Sequence, residues 1–179
     1  MDDATLINAF LQGDSTAFTE LVHRYQDKVF RIAMGYLHNQ EEAEDLSQEI
    51  FIVVYQSLHQ YKGEAAFSTW LYRVSINTTL QHLRKIKRRT LFLRFLGKEE
   101  EGADLVSNED PEKDLLNKEA QKRVKSILNR LPINQRTAFI LKQYESLSQK
   151  EIARIMKISE GAVEALLQRA KKNLKKIQL

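Results

Sequence analysis

The sequence predicts an all-α fold of two small helical domains joined by a flexible acidic linker. Three observations predict it. Apolar residues recur at helical spacing through most of the chain. Only two prolines and six glycines interrupt 179 residues, too few for a turn-rich β-sandwich. The periodicity lapses over Gly97–Pro111, which is acidic and holds two glycines, so the domains fall at 1–96 and 112–179 with a linker at 97–111.

Each element has its own signal. Residues 4–13 read as a short helix. A second runs from Ser15 to Leu37, with Phe18, Leu21, Val22, Tyr25, Val29, Ile32, Ala33 and Tyr36 on one stripe. Asn39 is placed to cap a third helix over Gln40–Gln60, with Glu42 at the capping-box position. Its stripe is Ala43, Leu46, Ile50, Val53, Val54 and Ser57. Tyr61–Ala66 form a loop around Gly63. A fourth helix starts near Phe67 and runs into the basic tract 84–89. Periodicity resumes near Glu112 and lasts to Leu131; Pro132 then opens a helix at its first position, ending near Tyr144. Ser148 with Glu151 forms a second capping box.

The net charge of +4 conceals strong segregation. Residues 1–60 carry −7, 61–98 carry +8, 99–119 carry −7, and 120–148 and 149–179 carry +5 each. That pattern suggests two basic surfaces for a polyanion and an acidic surface for another partner. There is no cysteine, so disulfides and thiolate chemistry are excluded. The acidic start lacks a signal-peptide pattern, and no apolar run reaches the roughly 20 residues of a membrane span. These features predict a cytoplasmic protein without membrane insertion. The four histidines show no metal spacing, and there is no phosphate loop or nucleophile elbow. Neither catalytic residues nor a cofactor nor a metal is expected.

Gln149–Gln168 has the pattern of a helix-turn-helix. Ala153 supplies the small residue where the helices touch, Ile158 follows the turn, and Val163 with Leu166 or Leu167 anchors the second helix. Ser159 is placed to cap that helix, whose first turns would enter a major groove. The turn position that favours glycine is Lys157. The basic tail, with Arg169, Lys171, Lys172, Lys175 and Lys176, suits backbone phosphates.

In the first half, Asp45, Gln48 and Glu49 share a helix face that suits either solvent or a basic partner. Aromatics then interleave with a basic helix from Phe67 to Lys85, as single-stranded nucleic acid requires. Phe67, Leu71, Val74 and Trp70 read as packing residues. Arg73 and Asn77 share a polar face and are the better candidates for DNA contact.

Taken in order, Gly13-Asp14, Ala17-Phe18, the segment 43–51 (AEDLSQEIF), the segment 67–74 (FSTWLYRV), Leu131-Pro132, Arg136 and the helix-turn-helix resemble an extracytoplasmic-function (ECF) sigma factor of the sigma-70 family. The resemblance covers nearly the whole chain outside the linker. It implies an alternative sigma factor that binds core RNA polymerase and directs promoter-specific initiation. Asp45, Gln48 and Glu49 would dock on the β′ clamp. The loop residues Tyr61, Lys62, Gly63 and Glu64, with Arg73, Asn77, Arg84 and Lys85, would take melted −10 DNA. The second domain would engage the β flap and read −35 duplex through Ser159, Glu160, Ala162, Glu164, Ala165, Gln168, Arg169 and Lys172. The acidic linker would stand in for nucleic acid on a basic channel near the RNA exit path. Family members are often held by an anti-sigma factor, which the resemblance adds as a partner.

One departure bears on specificity. Many members read roughly Gly-Thr-Val-Lys-Ser-Arg-Leu in the recognition helix, whereas this chain has Glu164 and Leu166 where the lysine and arginine fall. Glu164 can accept from cytosine N4 but repels phosphate, so the family's −35 sequence does not carry over. The competing reading is a helix-turn-helix regulator that acts without polymerase docking; the segments 45–51 and 67–74 argue against it.

Overall fold

Short polar caps set where the first helices begin. In the computed structural model, which describes residues 1–96, 119 and 122–177, α1 spans Asp3–Leu11, α2 Ser15–Leu37 and α3 Gln40–Ser57. Asp2 accepts from the Thr5 amide at 2.8 Å, Asp14 from Thr16 at 2.9 Å and Asn39 from Glu42 at 2.9 Å. Each satisfies an amide that the helix leaves open. The predicted first helix was two residues too long, because Gly13 adopts φ +102°, which ends it. The third closes through a 3-10 turn over Leu58–Gln60.

The long helix α4 spans Phe67–Phe95 and carries the basic tract on an exposed surface. Residues 122–129 form α5, followed by α6 (Ile133–Gln143), α7 (Gln149–Met156) and α8 (Glu160–Ile177). Pro132 precedes α6 as its cap rather than opening it, since its ψ of 140° is extended and helical geometry starts at Ile133. The predicted linker, and the part of the next helical stretch before residue 119, lie outside the described residues.

The stripes read from the sequence bury as a first core. Leu21, Tyr25, Val29 and Ala33 of α2 pack with Ala43, Leu46, Ile50 and Val54 of α3, joined by Leu6, Ile7, Leu58, Phe67 and Leu71. Phe18, Val22, Val53 and Ser57 sit only half-buried at its margin. Removing such apolar surface from water is the main favourable contribution.

A second core crosses the boundary between the halves. Ile32, Tyr36, Tyr72 and Ile76 from α2 and α4 pack against Ala138, Ile140 and Leu141 of α6, Ile152 and Ile155 of α7 and Val163 of α8. A smaller cluster of Leu128, Leu131 and Ala170 closes the second half. The two predicted domains therefore share an apolar interface, with α2 against α6 and α4 against α7.

Candidate nucleic-acid interface

On α3, the buried stripe of Ala43, Leu46 and Ile50 turns Asp45, Gln48 and Glu49 outward, and all three are exposed. Glu49 Oε2 lies 3.4 Å from His82 Nδ1 of α4. This leaves a carboxylate face backed by a rigid helix and open to a basic partner.

The loop before α4 is held by its own side chains. Tyr61 Oη donates to the Ala65 carbonyl at 2.6 Å, and Gly63 takes φ +73° to turn the chain. Behind it Tyr61, Phe67 and Trp70 form an aromatic group with ring centroids 5.6–5.8 Å apart. Trp70 is therefore packed, as expected, while Lys62, Gly63 and Glu64 stay exposed. An open cleft of about 590 Å³ runs from this loop to Arg73 and to Arg154 of α7.

Arg73 and Asn77, predicted to share a polar face, differ in their surroundings. Asn77 is exposed with Arg84 and Lys85 along α4. Arg73 instead donates through Nε to the Ile155 carbonyl at 3.2 Å and through its terminal nitrogen to the Arg154 carbonyl at 2.6 Å. These carbonyls belong to the last turn of α7, where the helix leaves acceptors open and favours a cation.

The helix-turn-helix forms as its pattern predicts. Ser148 and Glu151 make a reciprocal capping box at the start of α7, and those bonds hold the Glu151 carboxyl below its ordinary pKa. Lys157 ends α7 in the left-handed region at φ 56°. The Ile158 amide then donates back to Ala153 at 3.1 Å. Ser159 accepts from the Ala162 amide at 3.2 Å, and Val163 is fully buried on the inner side of α8.

The outward side of α8 presents Ser159, Glu160, Glu164, Gln168, Arg169 and Lys172. Gln168 donates to Glu164 at 3.2 Å, so the two form one polar unit. Ala162 and Ala165 are half-buried and line, with Met156, Ile158 and Leu166, an apolar groove of about 380 Å³. Leu166 thus belongs to this groove.

Sequence reasoning placed Tyr36 on the α2 stripe and Arg136 among the motif residues, but it missed the contacts by which they and Glu145 join the halves. Glu145 has a side chain only 1% exposed and accepts from Arg31 Nε at 2.6 Å and from Tyr72 Oη at 2.6 Å. Burial, then that carboxylate, pushes the Tyr72 hydroxyl far up. Tyr36 Oη and Thr137 Oγ1 are 2.6 Å apart, and burial raises the Tyr36 hydroxyl to about 12. Arg136 is buried, donates to the Tyr36 carbonyl and to Asn129, and lies 5.1 Å above the Tyr36 ring. A further signal was Gly35, a glycine inside a helical pattern.

Among the described residues, no cluster of three or more His, Cys, Asp or Glu is placed to hold a metal ion, and no helix is long and apolar enough to cross a membrane.

Two all-helical halves, one with an aromatic-basic helix and one with a helix-turn-helix, define a DNA-binding transcription protein. Residues 21–90 match the family model for sigma-70 region 2, and residues 121–174 match that for sigma-70 region 4. The chain is 34% identical to the RNA polymerase sigma-H factor of Pseudomonas aeruginosa over 178 residues, covering 97% of this chain and 92% of that protein. It is 34% identical to the ECF RNA polymerase sigma-E factor of Haemophilus influenzae, covering 99% and 96%. The fold resembles CnrH, solved in complex with the cytosolic domain of CnrY, with a TM-score of 0.70 at 22% identity over 98% of this chain and 96% of that one. It also resembles the sigma factor RpoE of Bartonella quintana, solved with the anti-sigma factor NepR, with a TM-score of 0.61 at 17% identity over 90% and 96%. The chain belongs to the sigma-70 family of RNA polymerase sigma factors, in its extracytoplasmic-function group. It is an alternative sigma factor that directs transcription.

Proposed function

We propose that this sigma factor docks on the β′ clamp of core RNA polymerase through Asp45, Gln48 and Glu49, and that its two halves read the two promoter elements. The observation that carries the reading is the exposed Asp45–Glu49 face on the helix that precedes the aromatic-basic segment. The loop 61–64 would take an unstacked base of the −10 element, and Asn77, Arg84 and Lys85 would hold the adjacent backbone. Trapping that base offsets part of the few kcal/mol that extrusion costs, so melting becomes a population shift toward the open duplex.

The exposed side of α8 would enter the −35 major groove, with Ser159 and Glu160 at its first turn and Arg169 and Lys172 on phosphates. The second half would rest on the β flap. The linker 97–111 would track a basic channel, its acidic residues replacing nucleic acid. No bond chemistry is asked of this chain: it supplies binding energy and geometry in the cytoplasm. The anti-sigma factor bound to RpoE in the solved neighbour supports a similar partner here.

The test mixes the purified chain with bacterial core polymerase and measures co-elution and promoter-dependent transcription. Wild type is expected to co-elute as a monomer and initiate. Asp45→Ala with Glu49→Ala is expected to lose at least tenfold in core affinity while retaining its helical spectrum. Absence of both activities, with tight dimeric binding to duplex alone, would instead establish a regulator that works without polymerase.

A further inference from the structure

The far end of α4 leaves the bundle. Leu83 is the last residue of that helix to pack against either of the first two cores. From Arg84 to Leu96 every residue except Leu93 is exposed, Phe95 at 87%. The helix nonetheless continues to Phe95. These turns therefore present their side chains to whatever lies outside the bundle.

The side chains are sorted along the helix. Arg84, Lys85, Lys87, Arg88 and Arg89 come first, with Ile86 among them. Leu91, Phe92, Phe95 and Leu96 follow, with Arg94. No carboxylate occurs between Arg84 and Leu96. Leu91 and Phe95 are one turn apart, as are Phe92 and Leu96, so the four form one stripe. Arg84 and Arg88 continue the row of Phe92 and Leu96 back toward the bundle. At 1.5 Å per residue, Phe95 lies about 10 Å beyond Arg88. An interfacial helix buries its apolar side to a similar depth below the headgroups, about 5–10 Å. The stripe also lies past residue 90, where the match to region 2 ends.

The chemistry of the two groups selects among occupants. Cations without carboxylates call for an anionic partner, and a second copy would set cation against cation. Single-stranded nucleic acid would stack its bases on rings, yet Ile86, Leu91 and Leu96 offer none. An anionic bilayer surface takes both groups: cations at the phosphates, and leucine and phenylalanine alike at the acyl boundary. The contact is peripheral, because residues 91–96 are far short of the roughly 20 that span a bilayer.

We infer that the free end of α4 is a peripheral binding site for anionic phospholipid. Arg84, Lys85, Arg88 and Arg89 meet the headgroup phosphates, and Leu91, Phe92, Phe95 and Leu96 enter the acyl boundary. This site does not depend on the polymerase and promoter contacts proposed above.

The test floats the full-length chain with vesicles of phosphatidylglycerol and phosphatidylcholine in equal parts, and with vesicles of phosphatidylcholine alone. Wild type should bind the anionic vesicles at least tenfold more tightly, and high salt should weaken that binding. Phe92→Ser with Phe95→Ser should lose at least tenfold at unchanged helical content, while keeping its affinity for a single-stranded oligonucleotide. Arg88→Gln with Arg89→Gln should also lose at least tenfold, since each cation near an anionic surface strengthens binding about fivefold. No binding by wild type, or equal binding to both kinds of vesicle, would overturn the site. Anionic binding that survives both serines would reduce it to adsorption by charge and overturn the stripe's part in it. Loss of oligonucleotide affinity in the serine variant, with vesicle binding unchanged, would assign the stripe to nucleic acid instead.

Discussion

The carboxylate of Glu145 meets the guanidinium of Arg31 across 114 residues of chain, with Nε and Oε1 2.6 Å apart and a second contact of 3.2 Å. Such a two-pronged pair is stronger than a single bond, and its carboxylate, but not its cation, is buried. The exposed guanidinium, at 44%, keeps part of its hydration and reduces what the pair contributes. A double-mutant cycle with Arg31→Ala and Glu145→Ala should give a coupling of about 1–2 kcal/mol in denaturant unfolding. Glu145→Ala alone should cost more, because Tyr72 loses its acceptor as well.

His38 makes the same junction sensitive to acid. It caps α2 in the left-handed region and is buried, with Nε2 lacking a partner. Burial, then Arg136, then Lys125 depress its pKa to about 4 from 6.5, against the Gly35 carbonyl, which acts the other way. Because the folded pKa is the lower one, the stability is intact above about pH 6.5 and declines as pH falls toward 4. The slope is at most about 1.4 kcal/mol per pH unit. Urea unfolding at pH 7.5, 6 and 5 should show this loss, and His38→Gln should flatten the pH dependence over that window.

Lys157 occupies a turn that glycine suits better. Its φ of 56° places Cβ against the following carbonyl, a strain of roughly 1–2 kcal/mol for an L-residue. Lys157→Gly removes that strain but frees the unfolded chain, which takes back part of the gain. The net expectation is a stabilisation of about 0.5–1 kcal/mol. Thermal melting of the full-length chain should show a rise of a few degrees.

What the sequence revealed and what it withheld have a common physical origin. Periodicity, caps and turn residues act within a few positions, so the ends of α2 and the capping box of α7 were legible from neighbours alone. The helix-turn-helix was legible for the same reason, including its Lys157 turn. Glu145, Tyr72 and Arg31 form a contact between distant segments, and nothing in the local pattern of any one marks it. Arg73 was legible as a basic residue on a polar face. Its engagement with the Arg154 and Ile155 carbonyls depends on how the halves pack, which local rules do not encode. The apolar members of the shared core, such as Ile32 and Tyr36, already fitted the α2 stripe. Val163 opposite them was legible as a helix-turn-helix anchor, but its membership of a core shared with Ile32 and Tyr36 was not.

Glu164 is where charge on the recognition helix can be tested most directly. It lies exposed on α8, one turn before Gln168, whose amide donates to it at 3.2 Å. If α8 enters a major groove, this carboxylate sits near phosphates and opposes binding unless a cytosine N4 faces it. Glu164→Gln removes the repulsion and keeps the length of the side chain. Glu164→Arg adds a cation where many relatives place a lysine. Both should tighten binding of the holoenzyme to a duplex upstream promoter fragment, the arginine variant more. Only the arginine should steepen the dependence of log affinity on log salt, by about 0.9 for the added phosphate contact. A base-reading glutamate gives the opposite result: both variants weaken binding to the preferred sequence and bind other sequences at least as well. Affinity measured at three salt concentrations on preferred and scrambled duplexes therefore separates a carboxylate that reads a base from one that merely opposes the backbone.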